Sequence, residues 1–220
     1  MRLPPLTNAP ALRRHSQRGS VSDTPSCWER SGTCSGAERQ VVLVNPEGEP
    51  YGAHPKRSVH SADTPLHLGF SCHVLNPAGE VLVSRRDLSK PTWPGVWTNA
   101  FCGHPAPGEG WEDAVARHAF EELGLELSLL SLALPNFRYR ATDASGVVEN
   151  EQCPVFTAVA SCRPSPNPAE AMEVAWSATD DVARAVHHAP WAFSPWFTLQ
   201  VPQMDMYKAE ARRNHGTAES

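Results

Sequence analysis

The stretch Trp97-Thr98-Asn99-Ala100-Phe101-Cys102-Gly103-His104-Pro105, followed after a short loop by Glu112 to Gly124, decides how this chain is read. Val96 to Phe101 is extended, and Glu112 to Leu123 reads as a helix. Glu112 and Asp113 suit the positive end of the helix dipole. Val115, Ala119 and Leu123 recur at four-residue spacing along one face, and Gly124 ends the helix as a left-handed cap. The strand thus delivers a thiol two residues from an imidazole, and the helix ends in the paired carboxylates Glu121 and Glu122. A soluble core needs none of these groups so close together.

Working outward, Gln40 to Val44 is a short strand closed by the turn Asn45-Pro46-Glu47-Gly48. A polar stretch with Lys56, Arg57 and His60 follows. Leu66 to Leu75 alternates, with Leu66, Leu68, Phe70, Cys72 and Val74 on one face and His67, Gly69, Ser71 and His73 on the other. The turn Asn76-Pro77-Ala78-Gly79 leads into a second strand, Glu80 to Ser84. Arg85 to Lys90 reads as a basic loop. Phe137 to Arg140 and Val147 to Val159 are strands joined around Asp143-Ala144-Ser145-Gly146. Val174 to Trp176 is a late strand, Asp180 to His188 a helix, and a final helix starts near Pro195. Interleaved strands and helices with several hairpins imply a single α/β (α+β) domain built on a mixed sheet flanked by helices.

The domain is expected to span residues 40–212. Residues 1–39, rich in Pro, Arg, Ser and Gly without hydrophobic periodicity, read as a disordered extension, and 213–220 as a flexible tail. A net charge of -5 over 220 residues argues against nucleic acid or an anionic membrane as partner. It leaves room for a small anionic substrate held by a few local cations. No apolar run approaches the ~18 residues needed to span a bilayer. The six cysteines form no dense framework, so reduced thiols in a cytoplasmic setting are expected.

Several side chains could carry chemistry. Glu149 and Glu151 are two apart on a strand and project to one face, where like charges cost energy unless a cation, a proton or a shared partner compensates. The bland alternative is an exposed edge pair. His60, His67 and His104, near such a pair, suggest a metal site. Three imidazoles and two carboxylates suit octahedral Mn²⁺ or Mg²⁺, with Zn²⁺ an alternative. Cys102 could equally be a small core residue. Gly103, Glu109, Arg117 and Glu121-Glu122-Leu123-Gly124-Leu125 resemble the Nudix box, a loop-helix-loop whose carboxylates hold divalent metal against a diphosphate. His118 departs from it by standing where that pattern has a glutamate. Glu121 could pair with Arg117 four residues back, which makes Glu122, on the face of His118, the better metal-facing candidate.

Five segments in order resemble type I isopentenyl-diphosphate isomerases, which have the Nudix fold. They are His60-Ser61-Ala62-Asp63-Thr64-Pro65-Leu66-His67; Trp93 to Asn99 with Cys102-Gly103-His104-Pro105; Phe137-Arg138-Tyr139-Arg140-Ala141; Val148-Glu149-Asn150-Glu151; and Pro190-Trp191-Ala192-Phe193-Ser194-Pro195-Trp196. The resemblance implies interconversion of isopentenyl and dimethylallyl diphosphate through a tertiary carbocation, an entry step to isoprenoids. It makes Cys102 and Glu151 the acid/base pair, with Tyr139 beside Glu151 and Trp196 covering the cation. It assigns His60, His67, His104, Glu149 and Glu151 to a first metal, and Glu122 to a Mg²⁺ shared with the diphosphate. Lys56, Arg86 and Lys90 match diphosphate-binding positions, against the alternative of a solvated basic surface. In the comparable bacterial proteins Arg tends to occupy the place of His118. A monomer or weak homodimer is expected. A Nudix hydrolase of a diphosphate-containing metabolite is the alternative function.

Overall fold

A computed structural model describes residues 39–160 and 162–208. The expected N-terminal extension, apart from Arg39, and the C-terminal tail lie outside the described residues. The chain enters as the hairpin β1 (Gln40–Val44) and β2 (Pro50–Pro55), and a single turn of helix, α1 (Lys56–Val59), follows. Sequence reasoning left β2 and α1 as an irregular polar stretch, because PYGAHP carries no apolar alternation.

The segment Leu66 to Leu75 is two strands, not one: β3 (His67–Leu68) and β4 (Phe70–Leu75), broken at Gly69. Next come β5 (Val81–Arg86), β6 (Trp97–Thr98), β7 (Phe101–Gly103) and α2 (Trp111–Leu123). Arg85 and Arg86 therefore belong to a strand and not to the basic loop. The strand β8 (Leu127–Leu134), unread in the sequence, precedes β9 (Arg138–Thr142), β10 (Val148–Gln152) and β11 (Val155–Ala160). The expected long strand Val147 to Val159 is broken at Cys153-Pro154. The chain then forms β12 (Ala171–Ser177), α3 (Thr179–His188) and α4 (Pro195–Gln200), as the sequence indicated.

Both breaks have one cause, which is that the chain changes sheets. A five-stranded sheet has the order β2-β1-β3-β10-β9; a larger sheet has the order β12-β5-β4-β11-β8, with β6 on β5 and β7 on β4. The β3–β10 and β4–β11 pairs are both parallel, so two neighbouring chains cross from one sheet to the other side by side.

The larger sheet is covered on both faces, which explains why β4 is buried along nearly its whole length. Phe70, Cys72, Val74 and Leu82 pack with Val115, Ala119 and Leu123 of α2 on one side. Val81 and Val83, pointing the other way, pack with Val182 and Val186 of α3 and Phe197 of α4. Full burial of a Leu or Phe side chain contributes about 1.5–3 kcal/mol, so this sandwich is the rigid frame of the molecule. Gly124 closes α2 in the left-handed region, φ 60°, its N–H donating to the Phe120 carbonyl at 2.9 Å. Among the described residues no helix is long and apolar enough to cross a membrane.

Candidate active site

A cavity of about 510 Å³ opens where the two sheets part, and every side chain that the isomerase resemblance gave a catalytic, metal or diphosphate role, except His67, lines it. His67 lies immediately behind the wall, fully buried. The register of the small sheet does the assembling. Glu151 of β10 sits opposite His67 of β3 on one side and opposite Tyr139 of β9 on the other. His104 follows β7 and His60 follows α1, bringing the two remaining imidazoles across.

Donor atoms of His60, His67, His104 and Glu151 all lie within 4.8 Å of one another. Glu151 Oε1 is 3.1 Å from His104 Nε2 and 3.6 Å from His67 Nε2. The Pro65 carbonyl, 2.9 Å from His67 Nδ1, can only accept, so the hydrogen stays on Nδ1 and Nε2 is turned toward the cluster. His60 Nε2, His67 Nε2 and His104 Nδ1 are buried without a hydrogen-bond partner. Orphaned imidazole nitrogens grouped around a carboxylate are costly in a plain core and fit a divalent metal. Burial pushes His60 down to about 4 and His104 down to about 3, which keeps both neutral and ligand-ready at pH 7. Burial alone would raise Glu151. The hydrogen bond from His104 and the nearby His67 imidazole outweigh it and hold the carboxyl well below its ordinary range.

Glu149 behaves differently. It is buried rather than an exposed edge residue, but it stands outside the four-donor cluster. Tyr139 Oη donates to its Oε2 at 2.6 Å, and Thr92 Oγ1 donates to its Oε1. Burial and the neighbouring Glu151 charge raise its pKa. Tyr139, expected to assist Glu151, thus bonds the other carboxylate. The tyrosine ring sits beside Trp196, 5.7 Å between centroids.

Cys102 faces the cavity from the larger sheet. Its thiol donates to Asn99 Oδ1 at 3.3 Å and lies 3.4 Å from Ser71 Oγ. Burial pushes it up to about 12, well above the ordinary cysteine value, so the sulfur carries its proton at pH 7. Asn99 Oδ1 also accepts from Trp196 Nε1 at 3.1 Å, so one buried amide orients both the thiol and the indole. The Trp196 ring has the Arg86 guanidinium 5.1 Å from its centroid.

The basic end of the cavity holds Lys56, Arg86 and Lys90 together with Glu122. Lys90 pairs with Glu170. Burial lowers Lys56, opposed by the charges of Glu122 and Glu170. His118 is buried, with Nδ1 2.7 Å from Glu122 Oε1. The His104 backbone N–H points at its Nε2 from 3.3 Å, which leaves Nδ1 as the donor to Glu122. The departure from the Nudix pattern is thus a bracket for Glu122 that does not line the cavity. Glu121 turns away, 3.2 Å from Arg39 and 3.6 Å from Arg117, an ordinary surface ion pair.

Sequence reasoning missed four residues: Asn99, Thr92, Gly69 and Ser71. Only Gly69 left a signal, being a glycine inside an alternating run. A Cβ there would lie 2.2 Å from Glu151 Oε2. Gly103 is similar, because a Cβ would meet the His118 ring at 2.4 Å.

The NUDIX domain signature matches residues 65–197. A solved structure from Deinococcus radiodurans superposes with a TM-score of 0.59 at 19% identity, covering 75% of this chain and 98% of that one. The two sheets and the α2 loop-helix-loop therefore define a protein of the Nudix class. Similarity to curated relatives is far higher. The isopentenyl-diphosphate Delta-isomerase of Clavibacter michiganensis subsp. michiganensis is 59% identical over 162 residues, 74% of this chain and 84% of the relative. The protein of the same name from Kocuria rhizophila is 56% identical over 170 residues, 77% of this chain and 94% of that one. The chain belongs to the isopentenyl-diphosphate Delta-isomerase family of the Nudix superfamily.

Proposed function

We propose that this chain interconverts isopentenyl diphosphate and dimethylallyl diphosphate by adding a proton at one carbon and removing one at another. The observation that carries the reading is a single cavity with a thiol on one wall, Cys102, and a carboxylate on the other, Glu151, next to a four-donor metal cluster and a basic rim. A non-redox allylic shift needs a proton donor and a proton acceptor held on the same five-carbon unit, and these two groups supply them. The tertiary carbocation between the two steps is stabilised by the faces of Trp196 and Tyr139. Substrate seated against Trp196 and Tyr139 would leave little room for water to trap it.

His60, His67, His104 and Glu151 would hold one divalent cation, for which Mn²⁺, Mg²⁺ and Zn²⁺ are candidates, with Glu149 beside it. Glu122 would take a Mg²⁺ shared with the diphosphate. Bound there, these ions supply fixed positive charge against Glu151 and the diphosphate oxygens. Lys56 and Arg86 add positive charge at the same end, and Lys90 does so after exchanging Glu170 for phosphate oxygens. Tyr139 and Thr92 hold Glu149 in one orientation. A hydrolase would have no use for a thiol facing a buried carboxylate, and His118 interrupts the helix glutamate set it would need.

The test is to incubate the protein with isopentenyl diphosphate, Mg²⁺ and Mn²⁺ and follow products by NMR. Dimethylallyl diphosphate without phosphate release is expected. Phosphate release without the isomer would replace the reading with hydrolysis.

A further inference from the structure

On the face of β4 that packs against α3 and α4, the alternating positions are Ser71 and His73, both fully buried. The residues around them, Phe197, Val155 and Val201, form an apolar cluster in which polar side chains cost free energy unless they are paired. These two are paired, in one continuous chain. Tyr207 Oη is 2.8 Å from His73 Nδ1, His73 Nε2 is 3.0 Å from Gln200 Oε1, and Gln200 Nε2 donates to Ser71 Oγ at 2.9 Å. The partners come from sequence positions more than a hundred apart, so the network is a tertiary feature rather than a local turn.

The donor directions are fixed by chemistry. An amide oxygen can only accept, so His73 Nε2 carries the hydrogen. Burial holds His73 down to about 4, so the ring is neutral at pH 7 and its Nδ1 is bare. Tyr207 must then donate to Nδ1. Gln200 donates to Ser71, which leaves the serine hydrogen free to go to sulfur. Among the described residues two sulfurs are in reach, Cys102 Sγ and Cys153 Sγ, each at 3.4 Å. Cys102 in turn donates to Asn99. Ser71 has one hydrogen for the two sulfurs; when it goes to Cys102, that sulfur is held from two sides, by the Asn99 acceptor and by a donor whose direction is set from α4.

We propose that Ser71 and Gln200, backed by His73 and Tyr207, are positioning residues for the reaction: their directed hydrogen-bond chain fixes the Cys102 sulfur at the cavity wall. The inference rests on the reading of Cys102 as an acid/base group. It assigns to α4, the last α-helix among the described residues, which presents Trp196 to the cavity, a second task behind the thiol.

The test measures kcat and KM for isopentenyl diphosphate with the metal-loaded full chain carrying Ser71→Ala, Gln200→Met, both together, or Cys102→Ala. Each single positioning variant is expected to lower kcat about tenfold, the effect of one lost hydrogen bond, with KM within about twofold of the wild type. The double variant is expected to be no slower than the slower single, because both act through one chain. Wild-type kcat in either folded single variant, or a loss confined to KM, overturns the proposal. Ser71→Ala removes a single oxygen and decides the matter alone if Gln200→Met does not fold. Near-wild-type turnover by Cys102→Ala would instead bring down the acid/base reading. An inactive Cys102→Ala beside fully active Ser71→Ala and Gln200→Met brings down the positioning role only.

Discussion

Where the larger sheet turns inward it buries Phe70, Leu82 and Val155, whereas the five-stranded sheet buries Glu149, Glu151 and His67. The first pattern is what any stable domain requires. The second is expensive, because two adjacent carboxylates and unpartnered imidazole nitrogens have been taken out of water. A sheet that small tolerates such groups only if a ligand compensates them. The larger sheet therefore works mainly as scaffold and carries the Cys102 thiol at its rim, while the smaller sheet holds His67, Tyr139, Glu149 and Glu151. Cys102 and Glu151 line one cavity, beside the place where β3–β4 and β10–β11 cross between the sheets at the same level.

The junction itself is the most sensitive place to break this arrangement. Gly69→Ala would put a methyl 2.2 Å from Glu151 Oε2. It is expected to cost at least about a hundredfold in kcat, in line with misplacement of a catalytic group, and to weaken divalent-metal binding measured by calorimetry. Gly79→Ala has no neighbour within 4 Å but sits at φ 82°, so it should lower the thermal midpoint and leave kcat unchanged.

On the small sheet, Tyr139→Phe removes the 2.6 Å donor to Glu149 and keeps the ring against Trp196. A loss of about tenfold in kcat is expected, without the hundredfold loss of Gly69→Ala. Steady-state kinetics with both variants ranks the two contributions.

Acid should probe the buried histidines without a mutation. His60 and His104 are pushed down by burial to about 4 and about 3, so below about pH 6.5 the unfolded chain takes up protons that the fold refuses. Their contribution to stability is full above pH 6.5 and falls as pH drops toward 4. His67 runs the other way. Burial lowers it, but Glu151 more than compensates, so its contribution is present below about pH 6.5 and is lost as pH rises through its folded value. His73, also held down by burial to about 4, has the same sign as His60 and His104, and three groups against one predict a lower thermal midpoint of metal-free protein at pH 4.5 than at pH 6.5. His60→Asn should flatten that slope.

The smallest effect belongs to the helix carboxylate that lost its role. Glu121→Gln is expected to change stability by less than about 0.5 kcal/mol and kcat not at all, by thermal melts and steady-state assay.

How much of this was legible in the sequence follows the same division between the sheets. The sandwich elements carry plain periodicity, and α2, α3, the β4–β5 turn and the Gly124 cap stand where the pattern put them. The small sheet is harder to read. β2 has no apolar alternation, and β3 and β10 looked continuous with β4 and β11 because a strand that changes sheets keeps its side-chain period. At the site, residues with distinctive chemistry (thiol, imidazole, carboxylate) could be picked out one by one. Asn99, Thr92 and Ser71 could not, because a buried amide or hydroxyl that orients a neighbour has no pattern of its own. The pairing of Tyr139 with Glu149 rather than Glu151 depends on side-chain rotamers within a known register, and the lifted Cys102 pKa depends on burial.

That the reacting pair spans the two sheets is tested by NMR of isopentenyl diphosphate in heavy water with the metal-loaded wild type, Cys102→Ala and Glu151→Gln. The wild type should yield dimethylallyl diphosphate with solvent deuterium in a methyl group, and each variant should fall at least about a thousandfold in rate, as removal of a proton-transfer group requires. Near-wild-type deuterated product from either variant would contradict an acid/base pair shared between the sheets.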